Sequence, residues 1–190
     1  MHHATATRIA IAANVIDFGV NGSITEVSVR EAINKASIDP LVGDLDGFKL
    51  TALKARKILF LLDNAGEIVF DRLLIEQLSH TQVTAAVRGC PILNDATMAD
   101  ALAAGIDEFV EVVENGSDAP GTLLDECCDK FRRLFDEADL IIAKGQGNYE
   151  TLSDHHANIA FLFKAKCPMV ATKLGVPQGM QMILQNRRDA

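Results

Sequence analysis

The sequence is short of positive charge. It has 18 Lys and Arg residues but 26 Asp and Glu residues, which gives a formal net charge of −8 at pH 7. A protein that binds nucleic acid generally does so through a basic surface that displaces counterions, so this balance argues against a nucleic-acid binder. Solubility is the simplest explanation of the negative charge.

Long apolar runs and paired cysteines are also missing. No apolar stretch reaches the roughly 18 residues that a membrane span needs, and the start at Met1–Ala4 lacks the regions of a signal peptide. The cysteines show neither CxxC spacing nor a zinc pattern; they are Cys90, Cys127, Cys128 and Cys167. We therefore expect a cytoplasmic protein with reduced thiols and no membrane partner.

Several familiar active-site motifs are absent. There is no Walker A loop, no HExxH and no GxSxG, and no GxGxxG follows the first predicted strand. These absences weaken the case for a dinucleotide-binding enzyme, a zinc protease or a serine hydrolase. Any chemistry has to come from less common motifs.

Apolar runs that alternate with helical patterns predict an α/β fold. The runs predict buried strands at 57–62, 83–87, 108–113, 139–143 and 168–173. Helical patterns lie between them at about 67–78, 96–104 and 122–137, and from the Lys144 loop to about 164. Five strands and four helices in alternation predict a three-layer, doubly wound, mainly parallel five-stranded sheet.

The first part of the chain has a different pattern. We predict a helical appendage at residues 1–55, followed by the α/β domain at residues 56–190. Within the appendage, Ser28 and Glu31 suit a capping box that opens a short helix. Residues 48–56 are predicted to form a second helix.

Three polar clusters each follow a predicted strand and open a helical pattern. The loops after parallel strands lie along one edge of an open sheet, where ligands bind, and in a 3-2-1-4-5 strand order loops one and four flank the crevice. Carboxylates, amides, glycines and one lysine would converge there, a composition that suits a divalent metal and a phosphate. The clusters are Asp63-Asn64-Ala65-Gly66-Glu67, Asn94-Asp95-Ala96-Thr97 and Lys144-Gly145-Gln146-Gly147-Asn148.

The first two clusters allow two interpretations. Asp63 and Asn64 offer hard oxygen ligands for a magnesium-like ion, and Asp95 could reach the same ion if strands one and two are neighbours. Alternatively, these side chains only cap the helices that follow. Glu67 is favourable for the helix dipole whatever its function. Both interpretations stay open at this point.

The third cluster has the features of an anion site. Gly145 and Gly147 permit close backbone approach, and the N–H groups at the start of the next helix can receive an anion. Lys144 adds positive charge. Arg88, at the end of the second strand, could pair with the carboxylates or with a bound phosphate. In the N-terminal region Asn14 and Asp17 are three residues apart, so a helix would place both on one face.

Taken in order, these motifs resemble the damage-control phosphatase family (domain of unknown function 89), and in particular its prokaryotic branch. The resemblance runs from about Ile9 to Gly179 and implies a Rossmann-like α/β domain with a helical appendage. It also implies a phosphatase that depends on Mg²⁺, Mn²⁺, Co²⁺ or Ni²⁺ and acts on phosphorylated small metabolites, such as sugar phosphates or damaged phosphometabolites. The motifs are Asn14-x-x-Asp17-x-Gly19, Asp63-Asn64-Ala65-Gly66-Glu67, Arg88-Gly89 with Asn94-Asp95-Ala96-Thr97, and Lys144-Gly145-x-Gly147-Asn148.

The resemblance assigns roles to these residues. The metal ligands would be Asp63, Asn64 and Asp95. The substrate phosphate would be held by Lys144 with Gly145, Gly147 and Asn148, while Asn14 and Asp17 close the site and Glu67, Arg88 and Asn94 line it. There are two departures: Ala13 stands where the family usually has glycine, and branch members carry a longer N-terminal helical region, often with a CxxC.

These residues together predict a phosphatase in which Asp63 and Lys144 are catalytic. The ion polarises the phosphoryl oxygens and activates a water, and the Lys144 loop stabilises the equatorial oxygens. Water is favoured over Asp63 as the nucleophile because a carboxylate neutralised by an ion is a poor nucleophile. One alternative is a non-catalytic protein that binds a nucleotide or phosphometabolite in the same crevice. Another is a scaffold in which the polar clusters are only helix caps.

Overall fold

The computed structural model describes residues 3–14, 25–78 and 80–186. These residues form seven strands: β1 (Leu41–Val42), β2 (Lys57–Leu61), β3 (Gln82–Val87), β4 (Glu111–Glu114), β5 (Leu140–Lys144), β6 (Ile159–Lys164) and β7 (Gln181–Asn186). They also form eight α-helices: α1 (His3–Ala13), α2 (Glu26–Lys35), α3 (Leu45–Lys54), α4 (Ile68–Gln77), α5 (Met98–Ala103), α6 (Asp129–Glu137), α7 (Gly145–Leu152) and α8 (Pro168–Leu174).

The strands form one sheet in the order β1-β7-β6-β5-β2-β3-β4. All neighbouring pairs are parallel except β6 and β7, which are antiparallel. The α/β class and the mainly parallel sheet are therefore confirmed. The prediction of five strands is wrong, because β1, β6 and β7 were not recognised and one predicted strand is a helix.

The error at the C-terminal end has a local physical cause. The segment predicted as the strand 168–173 is α8, in which Pro168 occupies the first turn, where its missing N–H costs no helical hydrogen bond. The helix predicted to reach 164 ends at Leu152, and the apolar run at 159–163 forms the buried strand β6. A short apolar run fits a buried strand and a buried helix equally well, so periodicity alone did not separate them.

Smaller differences concern the ends of elements. The third predicted strand begins at Glu111 rather than 108. The helix predicted from 122 is a short 3-10 turn at Leu124–Glu126, followed by α6. In the N-terminal region the capping box consists of Thr25 and Ser28, one turn earlier than predicted.

Helices cover both faces of the sheet. The side chains of β2 alternate between the faces: Ile58 and Phe60 pack with α1, α3, α4 and α5, whereas Leu59 and Leu61 pack with α6, α7 and α8. Burial on both faces explains why β2 is an uninterrupted apolar run. No helix within the described part of the chain is long and apolar enough to cross a membrane.

The topology places a crevice between β2 and β5. These strands are neighbours, but α4 packs on one face of the sheet and α7 on the other. The connections therefore diverge at the carboxyl ends of the two strands, the place where ligands bind in open α/β sheets. Of the residues before β2, helix α1 packs against α4 and β1 pairs with β7. The domain boundary at residue 55 stays a prediction.

Candidate active site

The loops after β2 and β3 are joined through their backbones. Asn64 and Asp95 form an isolated antiparallel bridge. The N–H of Ala96 donates to the carbonyl of Asp63 at 2.7 Å, and the N–H of Ala65 donates to the carbonyl of Asn94 at 2.9 Å. Asp63, Asn64 and Asp95 are therefore held at one edge of the sheet, as the sequence predicted from the neighbouring strands.

The interpretation of these side chains as helix caps does not match the structure. Helix α4 has Glu67 in the capping position, with no hydrogen bond from its side chain to the helix. Helix α5 is capped at Thr97, whose N–H donates to Asp100 Oδ2 at 2.8 Å. Neither Asp63, Asn64 nor Asp95 is the cap of the helix that follows it.

Two amides hold the carboxylates of Asp63 and Glu67 together. Asn14 Nδ2 donates to Glu67 Oε2 at 2.6 Å and to Asp63 Oδ2 at 3.2 Å. Asn64 Nδ2 donates to the same two oxygens at 2.9 Å and 2.8 Å. Asn94 Nδ2 donates in turn to Asn64 Oδ1 at 2.7 Å. The amide donors compensate for part of the repulsion between two buried carboxylates.

Asn14 is the described contribution of the N-terminal region to this cluster. It follows directly after α1, and its Oδ1 accepts from the N–H of Lys164 at 3.2 Å. Helix α1 ends at Ala13, and the predicted placement of Asn14 and Asp17 on one helix face stays a prediction. Asp17 lies outside the described residues.

Lys144 lies behind the carboxylate cluster. Its ammonium is 2.9 Å from Glu67 Oε1 and 2.5 Å from Asp71 Oδ1, and all three side chains are fully buried. Burial alone would lower the pKa of Lys144, but Asp71 and Glu67 raise it above its ordinary value, so the lysine stays protonated. The direct contact of Lys144 with a substrate phosphate stays a prediction.

Arg88 lies between the carboxylates of Asp95 and Asp63. Its Nε is 2.6 Å from Asp95 Oδ2, and its Nη2 is 3.9 Å from Asp63 Oδ1. Nη2 is buried without a hydrogen-bond partner. Burying an unsatisfied donor costs free energy, so this nitrogen is suited to an additional oxygen acceptor.

The segment predicted as a loop after Lys144 is instead the first turn of α7, which begins at Gly145 and is packed closely against its neighbours. Gly145 has φ +80°, and a β-carbon added there would lie 1.9 Å from Asp63 Oδ2. Asn148 Nδ2 donates to the carbonyl of Lys144 at 2.7 Å, and its Oδ1 accepts from the hydroxyl of Thr122 at 2.7 Å. Asn148 therefore braces the start of α7.

A cavity of about 420 Å³ opens on this edge of the sheet. Its polar side includes Asp63, Asn64 and Asp95, and Gly147 and Lys166 also line it. Its other walls come from Leu93, Pro120, Gly121, Gln146, Cys167, Pro168 and Gln178. The predicted metal ligands thus face a space large enough for a small phosphorylated metabolite.

The carboxylates have perturbed acidity. Burial, together with Glu67 and Asp95, raises the pKa of Asp63 to about 8, although Arg88 and Lys166 act in the opposite direction. Burial also raises the pKa of Asp71 to about 7 in spite of Lys144. Perturbed acids in a cleft are typical of functional sites.

The residues fit a hard divalent ion in their chemistry. No three His, Cys, Asp or Glu side chains among residues 3–14, 25–78 and 80–186 are grouped so that they could hold a metal ion. The amide oxygen of Asn64 would complete a ligand set with the carboxylates of Asp63 and Asp95, and all three are oxygen donors that such ions prefer. Burial, followed by the negative charges of Glu67 and Asp95, raises the pKa of Asp63, and a bound cation would favour its ionised form.

Some residues in this arrangement were not singled out from the sequence. Asp71 lies one helical turn after Glu67 on α4, a spacing of four that could have indicated that both face one partner. Lys166 lines the cavity, but it follows a strand that was predicted as helix. Thr122, which contacts Asn148, carries no motif of its own.

Comparison with known proteins identifies the family of the chain. A model of the damage-control phosphatase ARMT1-like domain matches residues 2–182. The chain belongs to this family. A crystal structure of a DUF89 family protein from Pyrococcus horikoshii superposes with a TM-score of 0.89 at 38% identity, covering 98% of this chain and 67% of that one. The predicted resemblance is confirmed.

Archaeal relatives of this phosphatase family are similar over most of the chain. A damage-control phosphatase from Pyrococcus horikoshii is 40% identical over 187 residues, and one from Archaeoglobus fulgidus is 41% identical over 181 residues. An uncharacterized protein from Methanocaldococcus jannaschii is 43% identical over 184 residues. These alignments cover 96%, 92% and 92% of this chain but 64%, 62% and 60% of the relatives, so the chain spans less than two thirds of their length.

Proposed function

We propose that this protein is a metal-dependent phosphatase that hydrolyses phosphate esters of small metabolites, including sugar phosphates or damaged phosphometabolites. The observation that carries the proposal is the convergence of Asp63, Asn64 and Asp95 on one cavity at the switch between β2 and β5. Family membership and two relatives named damage-control phosphatases support the same reaction class.

The proposed metal ligands are Asp63, Asn64 and Asp95, and the ion would be Mg²⁺, Mn²⁺, Co²⁺ or Ni²⁺. The chemistry that such an ion supplies is neutralisation of charge and polarisation of the phosphoryl oxygens. Asn14 holds the carboxylates of Asp63 and Glu67 in a fixed arrangement. Arg88 orients Asp95, because its Nε is 2.6 Å from the carboxylate.

The phosphate would be bound at the N-terminus of α7. Gly147 lines the cavity at the start of α7, where backbone N–H groups are available to an anion. Lys166 is the lysine on the cavity wall, and its charge lowers the pKa of Asp63. We propose that Lys166 contacts the phosphate in place of the predicted contact from Lys144, because Lys144 binds Glu67 and Asp71 and would position Glu67 instead.

Gln146 positions Lys166. Its Oε1 accepts from the N–H of Lys166 at 3.1 Å and from the N–H of Cys167 at 3.0 Å. Gln146, the second residue of α7, therefore ties the β6–α8 connection to the start of this helix. These two bonds hold the backbone at Lys166, whose side chain lines the same cavity as the proposed ligands.

The test is phosphate release from p-nitrophenyl phosphate and a panel of sugar phosphates, with and without Mg²⁺, Mn²⁺, Co²⁺ or Ni²⁺. We expect metal-stimulated release that Asp63→Ala abolishes. Asp100→Ala is the matched control, because Asp100 caps α5 and lies outside the cavity. Activity that needs no metal, or that survives in Asp63→Ala, would overturn the proposal. Binding of phosphate esters without turnover would support the non-catalytic alternative instead.

A further inference from the structure

Leu93 has a backbone conformation that leucine rarely adopts. It is the one non-glycine residue with positive φ among the described residues, at φ 49°. The N–H of Asp95 donates to the carbonyl of Ile92 at 3.0 Å, so Leu93 occupies the first central position of a turn. Glycine, asparagine or aspartate is the ordinary residue at a turn position with positive φ.

The leucine side chain does nothing for the fold that would explain this strain. It is 79% exposed and belongs to neither core cluster. Glycine would form the same turn with less strain and would leave Asn94 and Asp95 in place. A single exposed leucine is common on protein surfaces. An exposed leucine with a strained backbone is uncommon, and such strain is often found at functional sites.

The position of Leu93 supplies such a reason. The side chain lines the cavity that contains Asp63, Asn64 and Asp95, two residues before Asp95 in the chain. Pro120 comes to the same cavity from the β4–α6 connection, and Cys167 and Pro168 come from the β6–α8 connection. Three separate segments therefore contribute apolar side chains to a cavity that is otherwise lined largely by polar residues.

We propose that Leu93 is a specificity-determining residue that contacts the non-phosphate part of the substrate and favours phosphate esters whose body presents an apolar surface. The inference rests on the proposed function for its reaction, but it concerns the wall of the cavity and not the ligands of the metal. Contact with an apolar group would bury a side chain that is otherwise in water, which favours the bound state.

The proposal is tested by binding, which needs no turnover. Phenylphosphonate and methylphosphonate share one anionic group and differ in the apolar body, and calorimetry in the presence of Mn²⁺ measures their affinities. We expect the wild type to bind phenylphosphonate about tenfold more tightly or better, as a buried apolar group typically yields. Leu93→Gly and Leu93→Asn should lose most of this preference and bind methylphosphonate as the wild type does.

Three comparisons keep a structural role apart from a binding role. Leu93→Met retains an apolar side chain and should retain the preference. Leu102→Asn removes another exposed leucine, 52% exposed on α5 and outside the cavity, and should leave the preference unchanged. Leu93→Gly should melt no lower than the wild type, because glycine relieves the strain at this φ.

The outcomes separate this inference from the proposed function. Equal affinity of the wild type for the two phosphonates, or failure to bind either one, would overturn the role of Leu93. So would an unchanged preference in Leu93→Asn, or an equal loss of affinity for both probes. The phosphatase proposal is decided independently by metal-stimulated phosphate release. A Leu93-dependent preference without turnover would therefore support the inference and reject the enzyme.

Discussion

Gly145 and Asp63 face each other so closely that no side chain fits between them. A β-carbon at residue 145 would lie 1.9 Å from Asp63 Oδ2 and 2.6 Å from Oδ1. The carboxylate cannot move aside freely, because Asn14 and Asn64 both donate to Oδ2. The glycine after Lys144 thus leaves room for the carboxylate that is proposed to bind metal.

We therefore expect Gly145→Ala to displace Asp63 and to lower kcat/KM for p-nitrophenyl phosphate at least about 100-fold, since small displacements in an active site have effects of this size. Gly175→Ala is the matched control. Gly175 also has positive φ, at +66°, but an added β-carbon would meet nothing within 4 Å. Gly175→Ala should introduce backbone strain without displacing any neighbouring atom, so its kcat/KM should equal that of the wild type. Equal activity of the two variants would contradict this role for Gly145.

The parts of the fold that the sequence predicts are those with local signals. β2, β3 and β5 are short apolar runs that end at polar residues, and their order follows from the regular alternation of strands and helices. β6 follows α7 and β7 follows α8, so the alternation continues, but these two strands pair antiparallel in an otherwise parallel sheet. Their pairing depends on contacts that are distant in sequence, and no local pattern indicates it.

The site shows the same limit. The sequence brings Asp63, Asn64 and Asp95 together through neighbouring strands, and the structure joins their loops. The sequence does not reveal that Lys144 forms an ion pair with Asp71. A motif shows residue types and spacing, but not which side chains become buried. Burial decides whether a lysine meets a ligand or a neighbouring carboxylate, and burial follows from the tertiary packing.

Lys144→Met is expected to destabilise the protein strongly. Lys144 is fully buried between Glu67 and Asp71, and its removal leaves two carboxylates without their cation. Breaking a buried ion pair in this way typically costs about 3–5 kcal/mol, as urea unfolding would measure. The double variant Lys144→Met/Asp71→Leu also removes one of the two carboxylates that would lack a cation. It should recover part of the lost free energy of unfolding. A single-variant cost below about 1 kcal/mol would show that the ion pairs contribute little.

Lys166→Gln is expected to raise KM with little change in stability. The side chain lines the cavity and is proposed to contact the substrate phosphate. Loss of a hydrogen bond from a charged group typically weakens binding about 10- to 100-fold. Lys166→Arg should retain much of the affinity because it keeps the charge.

Lys173→Gln is the control for Lys166, since Lys173 is an exposed lysine on α8 that does not line the cavity. Steady-state kinetics with p-nitrophenyl phosphate should show no change in KM for this variant. An equal rise in KM in both variants would indicate a general effect of charge and not a contact at the site.

The pH dependence of stability should reveal the strain of the buried carboxylates. The pKa of Asp63 is raised from 3.8 to about 8, so between these values the native state holds a proton that the unfolded state has lost. The free energy of unfolding of the metal-free protein should therefore fall as pH rises from about 5 to about 8, as urea titrations at each pH would measure.

Asp63→Asn should flatten this dependence, because the amide does not ionise. A smaller slope should remain, since burial also raises the pKa of Asp71, to about 7. Asp107→Asn, at an exposed carboxylate outside the cavity, should retain the full slope. Saturating Mn²⁺ should stabilise the wild type more at pH 8 than at pH 5, because a metal ion and a proton compete for the same oxygens. If the slope is the same in Asp63→Asn and the wild type, Asp63 is not the group that opposes folding at neutral pH.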